Sequence, residues 1–122
     1  MRKVTSGMFM SLDGVVEADD DWQYRYFDED LFAGIFEGTE GTDAAVMGRV
    51  SFEGYNALHG PHPDSPMLAF LERVDRYVAS RSVTDTDWPG TTVLATDVYE
   101  EIAALKNRPG GTILVAGSPS LV

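Results

Sequence analysis

The sequence has no cysteine and few basic residues, and each lack excludes a class of chemistry. Without cysteine there are no disulfides, no thiolate nucleophile and no Cys-ligated metal. Nine Lys and Arg stand against 20 Asp and Glu, a formal net charge of −11. A nucleic-acid partner is therefore not expected, because that binding depends on cations meeting phosphates.

Long apolar runs are also absent. No stretch approaches the roughly 20 apolar residues that a membrane span needs, and the first residues lack the apolar run of a signal peptide. We therefore expect a cytoplasmic protein with no membrane partner. The chain of 122 residues, 43% hydrophobic and 11% aromatic, is long and apolar enough for one domain with a buried core.

Strand and helix patterns alternate after residue 30. Strands are predicted at 3–12, 44–47, 76–80, 92–95 and 112–116, and helices at 30–37, at 50–55, from Ser65-Pro66 and from Asp97. Residues 13–27 read as a long loop, a feature that is often functional in a compact domain. The alternation predicts an α/β fold with a mostly parallel central sheet flanked by helices.

Three polar turns follow predicted strands, and ligands of parallel sheets gather at such strand ends. The turns are Gly48-Arg49, followed closely by Ser51, then Ser80-Arg81, and Gly117-Ser118. Glycine lets a phosphate approach the backbone, a helix N-terminus attracts anions, and arginine adds a fork of donors. Taken singly, each turn is more often an ordinary surface turn. Together they favour a ligand with several phosphates, such as a dinucleotide.

The order of these motifs resembles a known superfamily. The segment 46–53, Val-Met-Gly-Arg-Val-Ser-Phe-Glu, is similar to the Gly-Arg-x-Thr-x-Glu signature of dihydrofolate reductases and of the reductase domain of riboflavin biosynthesis. Ser11-Leu12-Asp13-Gly14, the strand ending in Ser80-Arg81 and the strand ending in Gly117-Ser118 resemble further family motifs. The chain looks most like the small bacterial dihydrofolate reductase-like proteins with the C-terminal, riboflavin-type reductase domain.

The resemblance implies an NADPH-dependent reductase that transfers a hydride to a C=N or C=O group of a pterin- or ribitylaminopyrimidine-like small molecule. By position, Gly48, Arg49 and Ser51 would hold the cofactor phosphates. Ser80 and Arg81 would hold the adenosine end with its 2′-phosphate. Gly117 and Ser118 would lie against the pyrophosphate. The resemblance also implies a homodimer and requires no metal.

Two departures from the family pattern stand out. Ser118 occupies the place of the family's second glycine, and Pro119 follows it. Family members also continue for about another half-domain, so we expect a single domain truncated at its C-terminus, with part of the sheet left unpaired. A non-catalytic nucleotide-binding or regulatory module on the same fold is the alternative, and a fragment completed by a partner is a third reading.

The proton donor for such a reduction has two candidates. Asp30 resembles the acid near the start of the family's first helix, and Asp13 follows the first strand. Each has a structural alternative, because Asp30 can cap a helix and Asp13 can form a turn. The aromatic residues of the acidic loop are equally consistent with walling a pocket and with packing on the core; they are Trp22, Tyr24, Tyr26 and Phe27.

Overall fold

The computed structural model describes residues 1–16, 28–61, 63–82, 86–118 and 121. Their strands are β1 (Val4–Gly7), β2 (Thr42–Gly48), β3 (Asp75–Ala79), β4 (Thr91–Leu94) and β5 (Thr112–Ala116). Their helices are α1 (Glu29–Gly38), α2 (Arg49–Ala57), α3 (Pro66–Arg73) and α4 (Val98–Lys106).

The five strands form one parallel sheet in the order β1-β5-β2-β3-β4. β5, the last strand in the sequence, lies between the first two strands, β1 and β2. The carboxyl ends of β5 and β2 are therefore neighbours. All five carboxyl ends point to one edge of the sheet. This confirms the predicted α/β class, and it gives that edge the geometry in which such sheets bind ligands.

Alternate residues of the central strand β2 pack into two hydrophobic clusters, one on each face of the sheet. Ala45 and Met47 pack with the apolar side chains of α2 and α3 on one face, and Phe36 of α1 lies against the same cluster. Ala44 and Val46 face the opposite side, where Leu105 of α4 covers them. Because both faces are covered, residues 44–47 of β2 are all buried and apolar, without polar alternation, as expected for a central parallel strand.

Predicted and observed elements differ mainly at their ends. The first strand was expected to reach Leu12, but it ends at Gly7, which pairs with the last residue of β5, Ala116. Beyond that point the chain has no neighbouring strand among the described residues. The predicted start of α4 is correct, since the carboxylate of Asp97 accepts hydrogen bonds from the backbone N–H groups of Tyr99 and Glu100.

A buried arginine ties β3 to the loop before β4. Arg76 is 2% exposed and donates hydrogen bonds to the carbonyls of Leu71, Val74 and Pro89. Its guanidinium also lies 4.4 Å from the ring centre of Trp88. Burial lowers the pKa of Arg76 from its ordinary value, yet a guanidinium stays charged at neutral pH. Arg76 thus stabilises the fold from the interior, whereas the side chains of Arg49 and Arg81 are exposed at the surface.

Candidate functional site

A hydroxyl in the turn that follows β5 joins this turn to the one that follows β2. The Ser118 Oγ accepts a hydrogen bond from the Gly48 backbone N–H at 2.9 Å and donates one to the Ser51 Oγ at 2.8 Å. The Ser118 side chain is therefore committed to holding the Gly48–Ser51 turn. Because the Ser51 hydroxyl accepts from Ser118, it can donate its own proton to another acceptor.

The turn after β5 has an unusual backbone. Gly117 and Ser118 have φ angles of 64° and 56°, both in the left-handed region. Glycine adopts this region freely, whereas serine does so at some energetic expense. A Cβ placed on Gly117 would make ordinary van der Waals contacts, 3.4 Å from the Ser51 Oγ and 3.7 Å from the Tyr55 hydroxyl. The left-handed backbone, rather than a lack of space, therefore favours glycine at position 117.

The first turn of α2 lies beside this hydroxyl pair. Gly48 is the N-cap of α2, and no side chain caps the helix, so the first N–H groups lack a side-chain acceptor. Such groups, aided by the helix dipole, attract anions. Arg49 adds a charge at the same point, and it forms an exposed pair with Glu53 at 3.1 Å. Surface pairs of this kind are weak, so the Arg49 guanidinium can exchange partners.

A second basic turn follows β3. The Ser80 Oγ accepts a hydrogen bond from the Ser82 backbone N–H at 3.2 Å, and this fixes the turn that carries Arg81. Ser80 and Arg81 line a cleft of about 680 Å³ whose other wall is the start of α4, with Asp97 and Tyr99. Polar side chains line both walls of this cleft.

Strand register brings the predicted cofactor residues to one edge. Gly48 pairs with Ala79, so the turns beginning at Arg49 and Ser80 leave neighbouring strands at the same level. Val46 pairs with Val115, which places Gly117 next to Gly48 on the other side. The three turns therefore lie side by side along the carboxyl edge, about one strand spacing of 4.8 Å apart. Their roles in cofactor binding remain predictions.

An apolar cavity of about 500 Å³ opens beside this edge. It lies between α1 and the strands β1 and β5, and Gly117 belongs to both the cavity wall and the turn described above. The sequence prediction missed its lining, which includes Ser6, Ile35, Tyr55 and Met67. Tyr55 could have been identified from the sequence, because it follows Ser51 by one helical turn and so lies on the same face of α2.

The two candidate proton donors both lie at the surface. Asp28 caps α1, accepting from the Leu31 backbone N–H at 2.8 Å, and Asp30 is an exposed residue of the first turn. Asp13 is exposed in a turn, where the Ser11 hydroxyl donates to its carboxylate at 2.5 Å. This hydrogen bond lowers the pKa of Asp13. Neither Asp13 nor Asp30 is among the described residues that line the cavity.

Several sequence interpretations concern residues outside the described ranges. The four aromatic residues of the acidic loop, at 22, 24, 26 and 27, are among them, and so is Pro119. Within the described ranges, no group of three or more His, Cys, Asp or Glu side chains is placed to hold a metal ion. No helix in that part of the chain has the length and apolar character required to cross a bilayer.

Comparison with known protein families identifies a family to which the chain belongs. A model described as the RibD C-terminal domain matches residues 2–122, which is nearly the whole sequence. No curated protein gives a significant match. The matched family consists of reductase-like domains associated with riboflavin biosynthesis, and the parallel sheet agrees with its dihydrofolate reductase-like fold. The chain, with its three polar turns along one sheet edge, therefore belongs to the RibD C-terminal domain family.

Proposed function

We propose that this protein is an NADPH-dependent reductase of a small molecule with a C=N or C=O group. The observation that carries the proposal is the joining of the β2 and β5 ends through Ser118, next to an apolar cavity. A dinucleotide needs a polar site for its phosphates and a dry site for its nicotinamide. The polar turn at Gly117 and the apolar cavity, which share that glycine, are adjacent and support this proposal. Family membership adds independent support.

The donor set suits phosphate. Uncapped N–H groups of α2, the Ser51 hydroxyl and the Arg49 guanidinium are all hydrogen-bond donors, and no carboxylate caps the helix. In this proposal they bind the phosphates near the nicotinamide, and the Gly117 backbone lies against the pyrophosphate. Ser80 and Arg81 bind the adenosine end, where the Arg81 guanidinium pairs with the 2′-phosphate that distinguishes NADPH from NADH.

The chain's own contribution to the reaction is positioning and exclusion of water. The bound cofactor supplies a hydride, and the apolar wall formed by Ile35, Met67 and Leu114 keeps the reacting face dry. Holding donor and acceptor carbons in line lowers the barrier by roughly 7–11 kcal/mol in well-oriented systems. Tyr55 lies where the cavity meets the Gly117 turn, so its ring fixes the boundary between the two sites.

Cofactor titration tests the proposal. Quenching of protein fluorescence by NADPH and by NADH gives both dissociation constants for the wild type, Arg49→Ala and Arg81→Ala. Loss of one arginine–phosphate contact weakens binding by about 10- to 100-fold, since such contacts contribute roughly 1.5–3 kcal/mol. Arg81→Ala should remove most of the preference for NADPH, whereas Arg49→Ala should weaken both nucleotides.

Arg108→Ala is the matched control. It removes the same charge from an exposed residue that follows α4, at the opposite edge of the sheet. We expect it to bind both nucleotides like the wild type. Equal and negligible binding of NADPH and NADH by the wild type would remove the reductase proposal.

A second candidate is a nucleotide-binding module without catalysis. One observation favours it: no Asp or Glu side chain is among the described residues of the cavity wall, so the described wall has no carboxyl proton donor. The two candidates differ in turnover. A reductase oxidises NADPH when a pterin or pyrimidine acceptor is added, and a binding module retains NADPH unchanged.

A further inference from the structure

Tyr55 combines a packed ring with an oxygen at the boundary between the polar turn after β5 and the apolar cavity. Its ring lies against the hydrophobic cluster beneath α2 and α3, and the residue is only partly exposed. Its hydroxyl lies 3.7 Å from the position of a Cβ built on Gly117. Tyr55 also belongs to the cavity wall, together with Ile35 and Met67. A single side chain therefore brings a phenol oxygen to the place where the two sites meet.

Helix α2 presents two hydroxyls in sequence along one face. Tyr55 follows Ser51 by four residues, so their side chains lie on the same face of the helix, about 6 Å apart along its axis. The Ser51 Oγ is 3.4 Å from the same Cβ position on Gly117. A ligand that runs from the N-terminus of α2 past Gly117 into the cavity therefore meets Ser51 first and Tyr55 second.

The dinucleotide of the proposed function has a ribose between its pyrophosphate and its nicotinamide ring. With the pyrophosphate against Gly117 and the ring in the apolar cavity, this ribose lies at the level of Tyr55. We propose that the Tyr55 hydroxyl forms a hydrogen bond with a hydroxyl of this ribose, and so sets how far the nicotinamide ring enters the cavity. This inference rests on the proposed reductase function and adds to it a residue that positions the cofactor.

A tyrosine hydroxyl at this place suits a sugar. It both donates and accepts, so it can bond to the ribose and keep a partner within the protein. Because the ring is already packed, holding its oxygen in place costs little further side-chain entropy. Water competes less for a hydrogen bond at the edge of an apolar cavity than for one on the open surface. Hydride transfer needs aligned carbons, so a bond that fixes the ribose also helps to align the attached ring.

Three ligands that share the adenosine end locate the bond. NADPH carries the second ribose and the nicotinamide, 2′-phospho-ADP-ribose carries that ribose alone, and adenosine 2′,5′-bisphosphate carries neither. Isothermal titration calorimetry with the full chain gives their dissociation constants for the wild type and for Tyr55→Phe, which keeps the ring and loses the oxygen. Tyr55→Phe should weaken the first two ligands by about fivefold each, as expected for one neutral hydrogen bond, and leave the bisphosphate unchanged.

Tyr77→Phe is the matched control. It removes the same atom from β3, where Tyr77 packs against the cluster on the opposite face of the sheet, and it should leave all three dissociation constants unchanged. Weaker binding of the bisphosphate by Tyr55→Phe would overturn the inference, because the change would then disturb the turns rather than remove one bond. A loss confined to NADPH would overturn it too, since the hydroxyl would then contact the nicotinamide instead of the ribose.

The reductase proposal and the role of Tyr55 fail in different ways. Wild-type protein that binds none of the three ligands would contradict the reductase proposal and, with it, the role of Tyr55. Wild-type protein that binds all three, with the same dissociation constants in Tyr55→Phe, would contradict the role of Tyr55 alone and leave the cofactor site intact.

Discussion

Removing the Ser118 hydroxyl should weaken cofactor binding through the two loops that this hydroxyl joins. Ser118→Ala takes away the acceptor of the Gly48 N–H and the donor to the Ser51 Oγ, at 2.9 and 2.8 Å. Two hydrogen bonds at about 1 kcal/mol each amount to about 2 kcal/mol of unfolding free energy. The Ser51 hydroxyl also loses its fixed direction, so we expect NADPH affinity to fall about tenfold.

Ser118→Gly separates hydrogen bonding from backbone strain. Both variants lose the hydroxyl, but glycine adopts the φ of 56° without the penalty of a Cβ. Part of that gain is offset by the greater freedom of glycine in the unfolded chain. We therefore expect Ser118→Gly to be more stable than Ser118→Ala by about 0.5 kcal/mol, while both bind NADPH equally weakly.

Urea denaturation and NADPH titration of the two variants are the assays. Ser65→Ala is a suitable control, since it removes a hydroxyl that makes no capping hydrogen bond at the start of α3. Unchanged stability and affinity in Ser118→Ala would refute the proposed role of the hydroxyl. Tighter NADPH binding by Ser118→Gly would refute it too, and would mean that the Ser118 side chain, which replaces the family's second glycine, obstructs the pyrophosphate.

Two further predictions concern the fold and the titration of the first loop. Arg76→Met should lower the free energy of unfolding by about 3 kcal/mol, because buried carbonyls lose their donor; Arg73→Met, at an exposed site, should change it by less than about 0.5 kcal/mol in urea denaturation. The hydrogen bond from the Ser11 hydroxyl lowers the pKa of Asp13 below its ordinary value of 3.8. The ionised carboxylate therefore stabilises the folded state fully above pH 3.8, and this stabilisation is lost as the pH falls through the lower pKa of the folded protein. In a carboxyl NMR titration, Ser11→Ala should raise the Asp13 pKa toward 3.8, and titration of Asp13 near neutral pH would contradict this assignment.

Much of the sheet was predictable from local sequence. The run Thr112–Ala116 and the Asp97 cap lie as predicted, because continuous apolar runs and capping carboxylates act within a few residues. The end of β1 at Gly7 was not, since it depends on where the distant strand β5 stops pairing. Local patterns indicate that a segment is a strand, whereas tertiary pairing decides its length.

The site shows the same division. The turns at Arg49, Arg81 and Gly117 were recognisable because each follows a strand, and parallel strands must end together. The bridge from Ser118 to Gly48 could not be foreseen, since it depends on a left-handed backbone at a residue other than glycine. The cavity was missed because each of five elements contributes only one to three residues to its wall, and none of these groups forms a motif alone.

Oligomeric state and chain extent remain predictions. β1 pairs only with β5 among the described residues, and Val4 in that strand is 40% exposed. Edges of this kind associate readily, which accords with the homodimer that the family resemblance implies. Light scattering of the protein, with and without NADPH, distinguishes a dimer from a monomer.

In the proposed reductase, three strand-end turns bind one dinucleotide together, and amide NMR on the full chain can show this. On addition of NADPH, the N–H signals of Gly48, Ser51, Arg81 and Gly117 should shift in parallel and saturate with a single dissociation constant. The Arg108 signal, at the opposite edge, should stay in place. Shifts confined to one turn, or different dissociation constants for the Arg81 and Gly117 signals, would contradict the account.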